Sequence, residues 1–143
     1  MSAASRPRAG GAMVEFDHVG LRYSPDAEVL ADISFLLQPG SFYFLTGPSG
    51  AGKTSLLKML YLAQRPTRGI VRMMGEDVVA LPRARLPGFR RRIGVVFQDF
   101  RLIPHLSARD NIALPLRIAG VEEADLAGPV GEMLSWIGLA ERA

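Results

Sequence analysis

The chain has 143 residues and a net charge of +3, a size that allows a single domain with a hydrophobic core. It contains no cysteine, so disulfide bonds and thiolate metal sites are excluded. Its apolar runs are all shorter than the roughly 18 residues that a membrane-spanning helix needs. Residues 1–12 lack the apolar core of a signal peptide and predict a disordered tail, with residues 13–143 as the folded part of a cytoplasmic protein.

The first part of the chain has the hydrophobic pattern of β-strands. Residues 13–23 alternate between apolar and polar side chains, and this alternation slips by one residue near His18. Residues 29–37 predict a second strand after a Ser-Pro-Asp turn. The nearly continuous apolar run at 41–46 is typical of a short strand that is buried on both faces.

A glycine-rich loop follows this third predicted strand. Residues 47–54 read Gly-Pro-Ser-Gly-Ala-Gly-Lys-Thr, which matches the phosphate-loop pattern G-x-x-x-x-G-K-[ST]. In such a loop the backbone N–H groups point at a phosphate, and the following helix adds the positive end of its dipole. The pattern predicts a site for a nucleoside triphosphate. The predicted binding residues are Gly47, Pro48, Ser49, Gly50, Ala51, Gly52, Lys53, Thr54 and Ser55.

Three side chains of this loop have distinct predicted roles. Lys53 is one of two lysines among 17 Lys and Arg residues, and its compact ammonium can reach a terminal phosphate as a point charge. The Thr54 hydroxyl is placed to bind Mg²⁺. Two interpretations of Ser55 stay open, namely a hydroxyl that bonds the α-phosphate and a small helix residue without a ligand role.

Helices and strands alternate after the loop. Residues 53–62 predict a helix, 70–74 a strand and 75–77 a turn. Residues 82–92 are basic and predict a partly helical segment, and residues 93–97 predict another buried strand. This order of elements is that of an α/β domain.

The last part of the chain is predicted to be helical. After a loop, Ser107 is a good N-cap for a helix that ends near Pro115. Residues 121–137 predict a further helix, with a break at Gly128 and Pro129.

A cluster of arginines lies within residues 82–92. Its members are Arg83, Arg85, Arg90, Arg91 and Arg92. Such a cluster either contacts the phosphates of a lipid or nucleic acid or forms a solvated helix face. Aromatic side chains for base stacking do not alternate with the arginines, so we favour the solvated face and expect no direct contact with nucleic acid.

Residues 95–99 read Val-Val-Phe-Gln-Asp, a predicted buried strand that ends in Gln98, about 50 residues after the phosphate loop. This stretch resembles the Q-loop of ATP-binding cassette (ABC) proteins, and Tyr23 resembles the aromatic residue that stacks on adenine in the same family. The chain is identified as a member of that family. The resemblance implies an α/β P-loop NTPase of the ABC cassette type with an N-terminal antiparallel β subdomain. It also implies that Tyr23 contacts the base and that Gln98 helps to hold Mg²⁺ and the attacking water.

A closer resemblance covers residues 97–107, Phe-Gln-Asp-Phe-Arg-Leu-Ile-Pro-His-Leu-Ser, and residues 110–116, Asp-Asn-Ile-Ala-Leu-Pro-Leu. Both stretches are similar to those of the FtsE-type ATPases of cell division. The resemblance implies ATP binding and, in a complete protein, ATP hydrolysis by a homodimer of cassettes. It also implies a membrane partner subunit that resembles FtsX, at the cytoplasmic face of the inner membrane. The ATPases of lipoprotein release and macrolide export are the alternatives within the family.

Several parts of a complete cassette do not occur in the 143 residues. There is no Leu-Ser-Gly-Gly-Gln signature, and no apolar run ends in Asp-Glu as a Walker B strand does. Asp99 does not fit that role, because Gln98 interrupts the apolar run before it. The sequence therefore predicts the N-terminal portion of one nucleotide-binding domain, truncated before the signature motif and the Walker B strand. We expect this portion by itself to be inactive as an ATPase.

Two other classes of protein share some of these features. A small-molecule kinase would also contain a phosphate loop, although the stretch around Gln98 argues against a kinase. A non-catalytic module that binds nucleotide without turnover would have the same loop. Three conspicuous side chains, His18, His105 and Trp136, are predicted to be structural, and Trp136 is expected to pack against a helix.

Overall fold

The computed structural model describes residues 11–142. These residues form two compact units, of which the first ends at Ile93 and the second begins at Gly94. Most of the predicted disordered tail, residues 1–10, lies outside the described residues. No helix in the described range is long and apolar enough to cross a membrane.

The first unit contains a four-stranded antiparallel sheet. Its strands are β1 (Val14–Ser24), β2 (Ala27–Leu37), β3 (Arg68–Met73) and β4 (Glu76–Asp77). They are arranged in the order β2-β1-β3-β4, so that β1 pairs with both long neighbours. The predicted antiparallel subdomain is confirmed. The predicted turn at 75–77 is wrong in part, because Glu76 and Asp77 already pair with β3 and only Met74 and Gly75 form the turn.

The slip predicted near His18 is a bulge in β1. The pairing of β1 with β2 shifts between Phe16 and Val19, and His18 has a positive φ of 49°. The His18 backbone N–H donates to the Ser34 hydroxyl at 2.9 Å. The bulge inserts one residue into β1. Phe16, Val19 and Leu21 are therefore all buried on the side of the strand that faces the core.

Two helices cover the sheet of the first unit. Helix α1 (Lys53–Leu60) buries Leu56 and Met59, and helix α2 (Leu86–Arg90) buries Leu86 and Phe89. The buried core consists of Phe16, Val19, Leu21, Leu30, Leu56, Met59, Leu62, Val71, Met73, Val78, Leu81, Leu86 and Phe89. The helix predicted at 53–62 and the partly helical segment at 82–92 are therefore confirmed.

Two predicted buried strands are wrong. Residues 41–46 have no regular secondary structure, and Phe44 in this segment is 84% exposed. Residues 93–97 are likewise irregular, and Val96 is fully exposed. A strand that is buried on both faces needs hydrogen-bonded neighbours and a covering layer. Within the described residues neither segment pairs with a strand, although the partly buried Ile93 packs against the core of the first unit.

The second unit is helical. It contains helix α3 (Ala108–Ala119) and helix α4 (Ala127–Trp136), together with short 3₁₀ turns at Glu123–Asp125 and Ala140–Arg142. The buried core of this unit consists of Ala113, Leu126, Val130 and Leu134.

The predicted start of α3 is confirmed, whereas its predicted end is wrong. Ser107 is the N-cap, and its hydroxyl accepts from the Asp110 backbone N–H at 3.1 Å. The helix continues through Pro115 to a left-handed Gly120 with a φ of 91°. An interior proline removes one backbone hydrogen bond, but Leu116, beyond the proline, packs against the core of this unit, and the helix ends at the glycine C-cap.

The start of α4 and the position of Trp136 also differ from the predictions. Pro129 lies in the first turn of α4, where its missing N–H needs no partner, so it does not break the helix. Trp136 is 84% exposed and does not pack against a helix in its unit. Val130 and Leu134 occupy the buried face of α4, and Trp136 projects from another side.

An ion-pair network stabilises the start of α3 and the turn before α4. Arg117 donates to Asp110 at 3.2 Å and to both oxygens of Glu123 at 2.9 and 2.7 Å. The hydrogen bonds from Ser107 and Arg117 lower the pKa of Asp110, and the bond from Arg117 lowers the pKa of Glu123. Both carboxylates therefore favour the folded state above their ordinary pKa values. This contribution is lost as the pH falls through the lowered values.

Asn111 holds the loop before α3 against the helix. Its side-chain oxygen accepts from the Ile103 N–H at 2.8 Å. Its side-chain NH₂ lies within 3.0–3.2 Å of the carbonyl oxygens of Ile103, Leu106 and Ser107. One side-chain amide, with two N–H donors and an acceptor oxygen, thus satisfies backbone groups across a whole turn.

We expect Asn111→Ala to lower the free energy of unfolding of the second unit by about 1–3 kcal/mol, because several loop groups lose their partner. Urea unfolding followed by the helical circular dichroism signal, to which the long helices α3 and α4 contribute, measures the change. The isosteric variant Asn111→Asp keeps the acceptor for the Ile103 N–H but places a carboxylate oxygen against three carbonyl oxygens, so it should lose at least as much stability. An unchanged urea midpoint for Asn111→Ala would contradict the role of this side chain.

Candidate functional site

The glycine-rich loop of the first unit has the backbone conformation that its sequence predicts. Gly47, Gly50 and Gly52 have φ angles of 151°, 80° and 84°, which are favourable only for glycine. Gly52 is the N-cap residue of α1, and no side chain caps this end of the helix. The first backbone N–H groups of α1 are therefore available to an anionic ligand.

Close packing against β2 fixes the position of this loop. A Cβ atom at Gly52 would lie 2.6 Å from Leu30 Cδ2 and 3.1 Å from the Val29 carbonyl oxygen. Leu30 is buried and cannot move away freely. The absence of a side chain at Gly52 therefore allows α1 to begin directly against the sheet.

Lys53 holds its ammonium group across the loop. Its Nζ donates to the carbonyl oxygens of Gly47 at 2.8 Å and Pro48 at 2.6 Å. An ammonium has three donors, so one remains for a ligand oxygen. A guanidinium is planar and larger and would not make the same pair of contacts from this position.

The two hydroxyl residues after Lys53 have different environments. Thr54 is exposed in the first turn of α1, whereas Ser55 is buried. A hydroxyl oxygen at Thr54 fits Mg²⁺, which commonly takes a few protein oxygens together with phosphate oxygens and water. Among the described residues, no group of three or more His, Cys, Asp or Glu side chains is placed to hold a metal ion. The single Thr54 hydroxyl fits a magnesium ion that arrives with a phosphate ligand.

Tyr23 lies beside the start of α1. Its hydroxyl forms a hydrogen bond of 3.0 Å with the Ser55 hydroxyl, and the tyrosine as a whole is 56% exposed. The fold thus brings the predicted base-contacting residue and the phosphate loop together within one unit. No pattern in the sequence indicated the hydrogen bond, because the two residues are 32 positions apart.

Gln98 belongs to the second unit, in an exposed irregular loop. The loop around it is shaped by Arg101, whose guanidinium lies 4.2 Å from the centre of the Phe97 ring and whose Nε donates to Asp99 at 3.3 Å. Phe100 and Arg101 both have positive φ angles, of 52° and 54°. The predicted loop after residue 97 is present, and the catalytic role of Gln98 stays a prediction.

The histidines and the arginine cluster have local partners or face solvent. His18 Nδ1 is 2.6 Å from an Asp32 carboxylate oxygen on the neighbouring strand. Within the cluster, Arg90 donates to the Leu62 carbonyl oxygen at 2.8 Å and Arg85 pairs with Glu76 at 3.1 Å. Two of the five arginines therefore have a structural role, in agreement with a solvated helix face.

Comparison with known proteins agrees with this geometry. The family model of the ABC transporter matches residues 30–143. The solved structure of a dimeric ATP-binding cassette, MJ0796, in a post-hydrolysis state bound to ADP and Pi, is similar with a TM-score of 0.78 and 30% sequence identity. That similarity covers 91% of this chain and 59% of the solved chain.

Two kinds of curated relative match at the sequence level. The cell division ATP-binding protein FtsE of Escherichia coli strain K12 is 39% identical over 131 residues, which are 92% of this chain and 59% of the relative. FtsE of Bacillus subtilis strain 168 is 36% identical over the same share of this chain. The methionine import ATP-binding protein MetN of Bordetella avium is 41% identical over 112 residues, 78% of this chain and 31% of the relative.

A glycine-rich loop of this pattern between a β subdomain and a helix, with a lysine across it, is typical of P-loop nucleotide-binding domains. The family model covers most of the chain, and the chain belongs to the ABC transporter family. Within that family it is an FtsE-like ABC ATP-binding domain. The chain spans 59% of the length of the FtsE it matches in Escherichia coli.

We expect Gly52→Ala to destabilise the first unit by about 2–4 kcal/mol, since the new methyl group adds a clash with β2 to the strain of a positive φ. The matched control is Gly50→Ala, which has a similar φ of 80° but no heavy atom within 4 Å of the added Cβ. Gly50→Ala should lose only about 1–2 kcal/mol. Urea unfolding monitored by circular dichroism measures both, and equal losses would show that the contact with β2 is unimportant.

Proposed function

We propose that this domain binds ATP with Mg²⁺ through the loop from Gly47 to Ser55. The observation that carries the proposal is the position of the Lys53 ammonium, hydrogen-bonded to the Gly47 and Pro48 carbonyl oxygens at the mouth of the loop. The positive charge is thus held beside the same loop that precedes α1, whose first N–H groups have no side-chain cap. A nucleoside triphosphate has the negative charge and the oxygen atoms that this arrangement can bind.

Each residue of the proposed site has one role. The loop backbone and the start of α1 bind the phosphates, Lys53 contacts the β- and γ-phosphates, and Thr54 contributes a hydroxyl ligand to Mg²⁺. Tyr23 offers an exposed aromatic face to the adenine base. Gln98 helps to hold Mg²⁺ and the attacking water during hydrolysis in the complete protein.

For the complete protein we propose ATP hydrolysis as the nucleotide-binding subunit of an FtsE/FtsX-type complex in bacterial cell division. The support is the 39% identity to FtsE over 92% of the chain. A methionine importer is the second candidate, because MetN is 41% identical over a shorter range. The ATPases of lipoprotein release and macrolide export remain further alternatives within the family.

The proposed assembly is a homodimer of cassettes bound to a membrane subunit that resembles FtsX. The support for the dimer is the dimeric cassette MJ0796, which is similar over 91% of this chain. A membrane subunit would hold the protein peripherally at the cytoplasmic face of the inner membrane.

We expect Lys53→Ala to weaken binding of Mg-ATP by this chain about 10- to 100-fold, the usual effect of losing a hydrogen bond to a charged group. Lys53→Arg should bind as poorly, because the planar fork does not replace the ammonium. Isothermal titration calorimetry at fixed Mg²⁺ measures the affinities.

Lys58, the other lysine of the chain, gives the matched control, since it is exposed in the last turn of α1. Lys58→Ala removes the same charge and should change the affinity less than about twofold. Equal losses of ATP affinity for Lys53→Ala and Lys58→Ala would mean that binding does not depend specifically on the Lys53 ammonium.

We further expect this chain by itself to release no phosphate from ATP above the level of its Lys53→Ala variant. Its sequence has neither a carboxylate pair that ends an apolar strand nor the signature motif, so the water has no general base and the developing charge lacks donors. A coupled phosphate-release assay on the purified chain measures the rate. Turnover clearly above that of Lys53→Ala would disprove this expectation.

A further inference from the structure

The hydrogen bond between Tyr23 and Ser55 joins the two halves of the proposed nucleotide site. Tyr23 is near the end of β1, and Ser55 is the third residue of α1. Ser55 is only 8% exposed, whereas the Tyr23 residue is 56% exposed and can receive a ligand. The 3.0 Å hydrogen bond between the two hydroxyl oxygens thus joins the buried Ser55 side chain to the accessible aromatic ring of Tyr23.

We propose that Ser55 is a positioning residue for the base of the nucleotide, acting through the hydroxyl of Tyr23. The proposal rests on the proposed function, in which Tyr23 contacts adenine and the loop binds the phosphates. Its new content is that base recognition and phosphate recognition are coupled through one pair of hydroxyl groups. The aromatic face of Tyr23 is therefore held ready for the base by the same helix that binds the phosphates.

The physical reason is the restriction of the Tyr23 side chain. A tyrosine held at its backbone and at its hydroxyl keeps one χ1 rotamer, and only rotation about the long axis of the ring remains. Without the hydrogen bond, an exposed aromatic side chain on a strand samples more than one χ1 well. A ligand that stacks on the ring then has to select one of them, which weakens binding.

The direction of the hydrogen bond extends the coupling to the phosphates. A phenol is a stronger acid than an aliphatic alcohol, so the Tyr23 hydroxyl is the better donor and Ser55 Oγ the better acceptor. The Ser55 proton is then left to donate to a phosphate oxygen beside the loop. Consecutive hydrogen bonds of this kind polarise one another, so each one strengthens its neighbour.

The proposal and simple aromatic stacking predict different effects of Tyr23→Phe on ATP binding. If only the ring face mattered, Tyr23→Phe would bind ATP like the original chain. If the hydroxyl positions the ring, Tyr23→Phe weakens ATP binding about threefold to tenfold, the usual size of one neutral hydrogen bond. Binding of inorganic tripolyphosphate, which has no base, should change less than about twofold.

The experiment is a double-mutant cycle on the 143-residue chain, with Mg-ATP and Mg-tripolyphosphate as the two ligands in calorimetric titrations. The variants are Tyr23→Phe, Ser55→Ala and the double variant, with Ser55→Thr as the conservative replacement that keeps a hydroxyl. We expect the double variant to bind ATP no more weakly than Ser55→Ala alone, since both changes remove one shared contact. Ser55→Thr should stay within about threefold of the original chain.

Several results would overturn the proposal. One is Tyr23→Phe binding ATP as tightly as the original chain, and another is additive losses in the double variant. Equal weakening of ATP and tripolyphosphate by Tyr23→Phe would assign the hydrogen bond a purely structural role and would also overturn it.

Two further results would refute the proposed function itself and are distinguishable from these. An original chain that binds neither ligand has no working phosphate loop. A Tyr23→Ala variant that binds ATP as tightly as the original chain has its base site elsewhere. In either case the proposed positioning role of Ser55 is refuted as well.

Discussion

The approach of Gly52 to β2 is the contact on which the rest of the site depends. At Gly52 the helix begins so close to β2 that an added Cβ would clash with Val29 and Leu30, and the positive φ there also favours glycine. This contact sets the start of α1. The start of α1 in turn sets the direction of the free N–H groups, the position of the Lys53 ammonium and the depth of Ser55. A sequence motif of a few residues thus acts through its packing against a strand that precedes it by some 20 residues.

The features that the sequence predicted correctly depend on local chemistry. The bulge at His18 follows from the one-residue shift in hydrophobic alternation, and the start of α3 follows from the capping side chain of Ser107. The loop conformation follows from glycines at fixed spacing. In each case the residues that determine the structure are neighbours in the sequence, so a short stretch of sequence is sufficient to predict the feature.

The features that the sequence predicted wrongly depend on partners or on three-dimensional packing. Residues 41–46 and 93–97 have the composition of buried strands, but burial needs neighbours that the pattern itself cannot supply. Pro115 does not end α3, because Leu116 beyond it packs against the core of the second unit. The bond between Tyr23 and Ser55 has no sequence signal either, since it arises from the way β1 passes the start of α1. The arrangement of the side chains in the proposed site therefore depends on the fold and cannot be predicted from the loop motif alone.

The central claim is that the loop and the first turn of α1 form a nucleotide site whose ammonium is Lys53. Amide hydrogen exchange of residues 47–55, measured by mass spectrometry with and without Mg-ATP, tests it most directly, with the β3–β4 hairpin at residues 72–77 as the internal reference. The account predicts slower exchange in residues 47–55 on addition of nucleotide, no change in the reference hairpin, and far less slowing in Lys53→Ala at the same Mg-ATP concentration. Unchanged exchange in the loop, or equal slowing in Lys53→Ala, would contradict it.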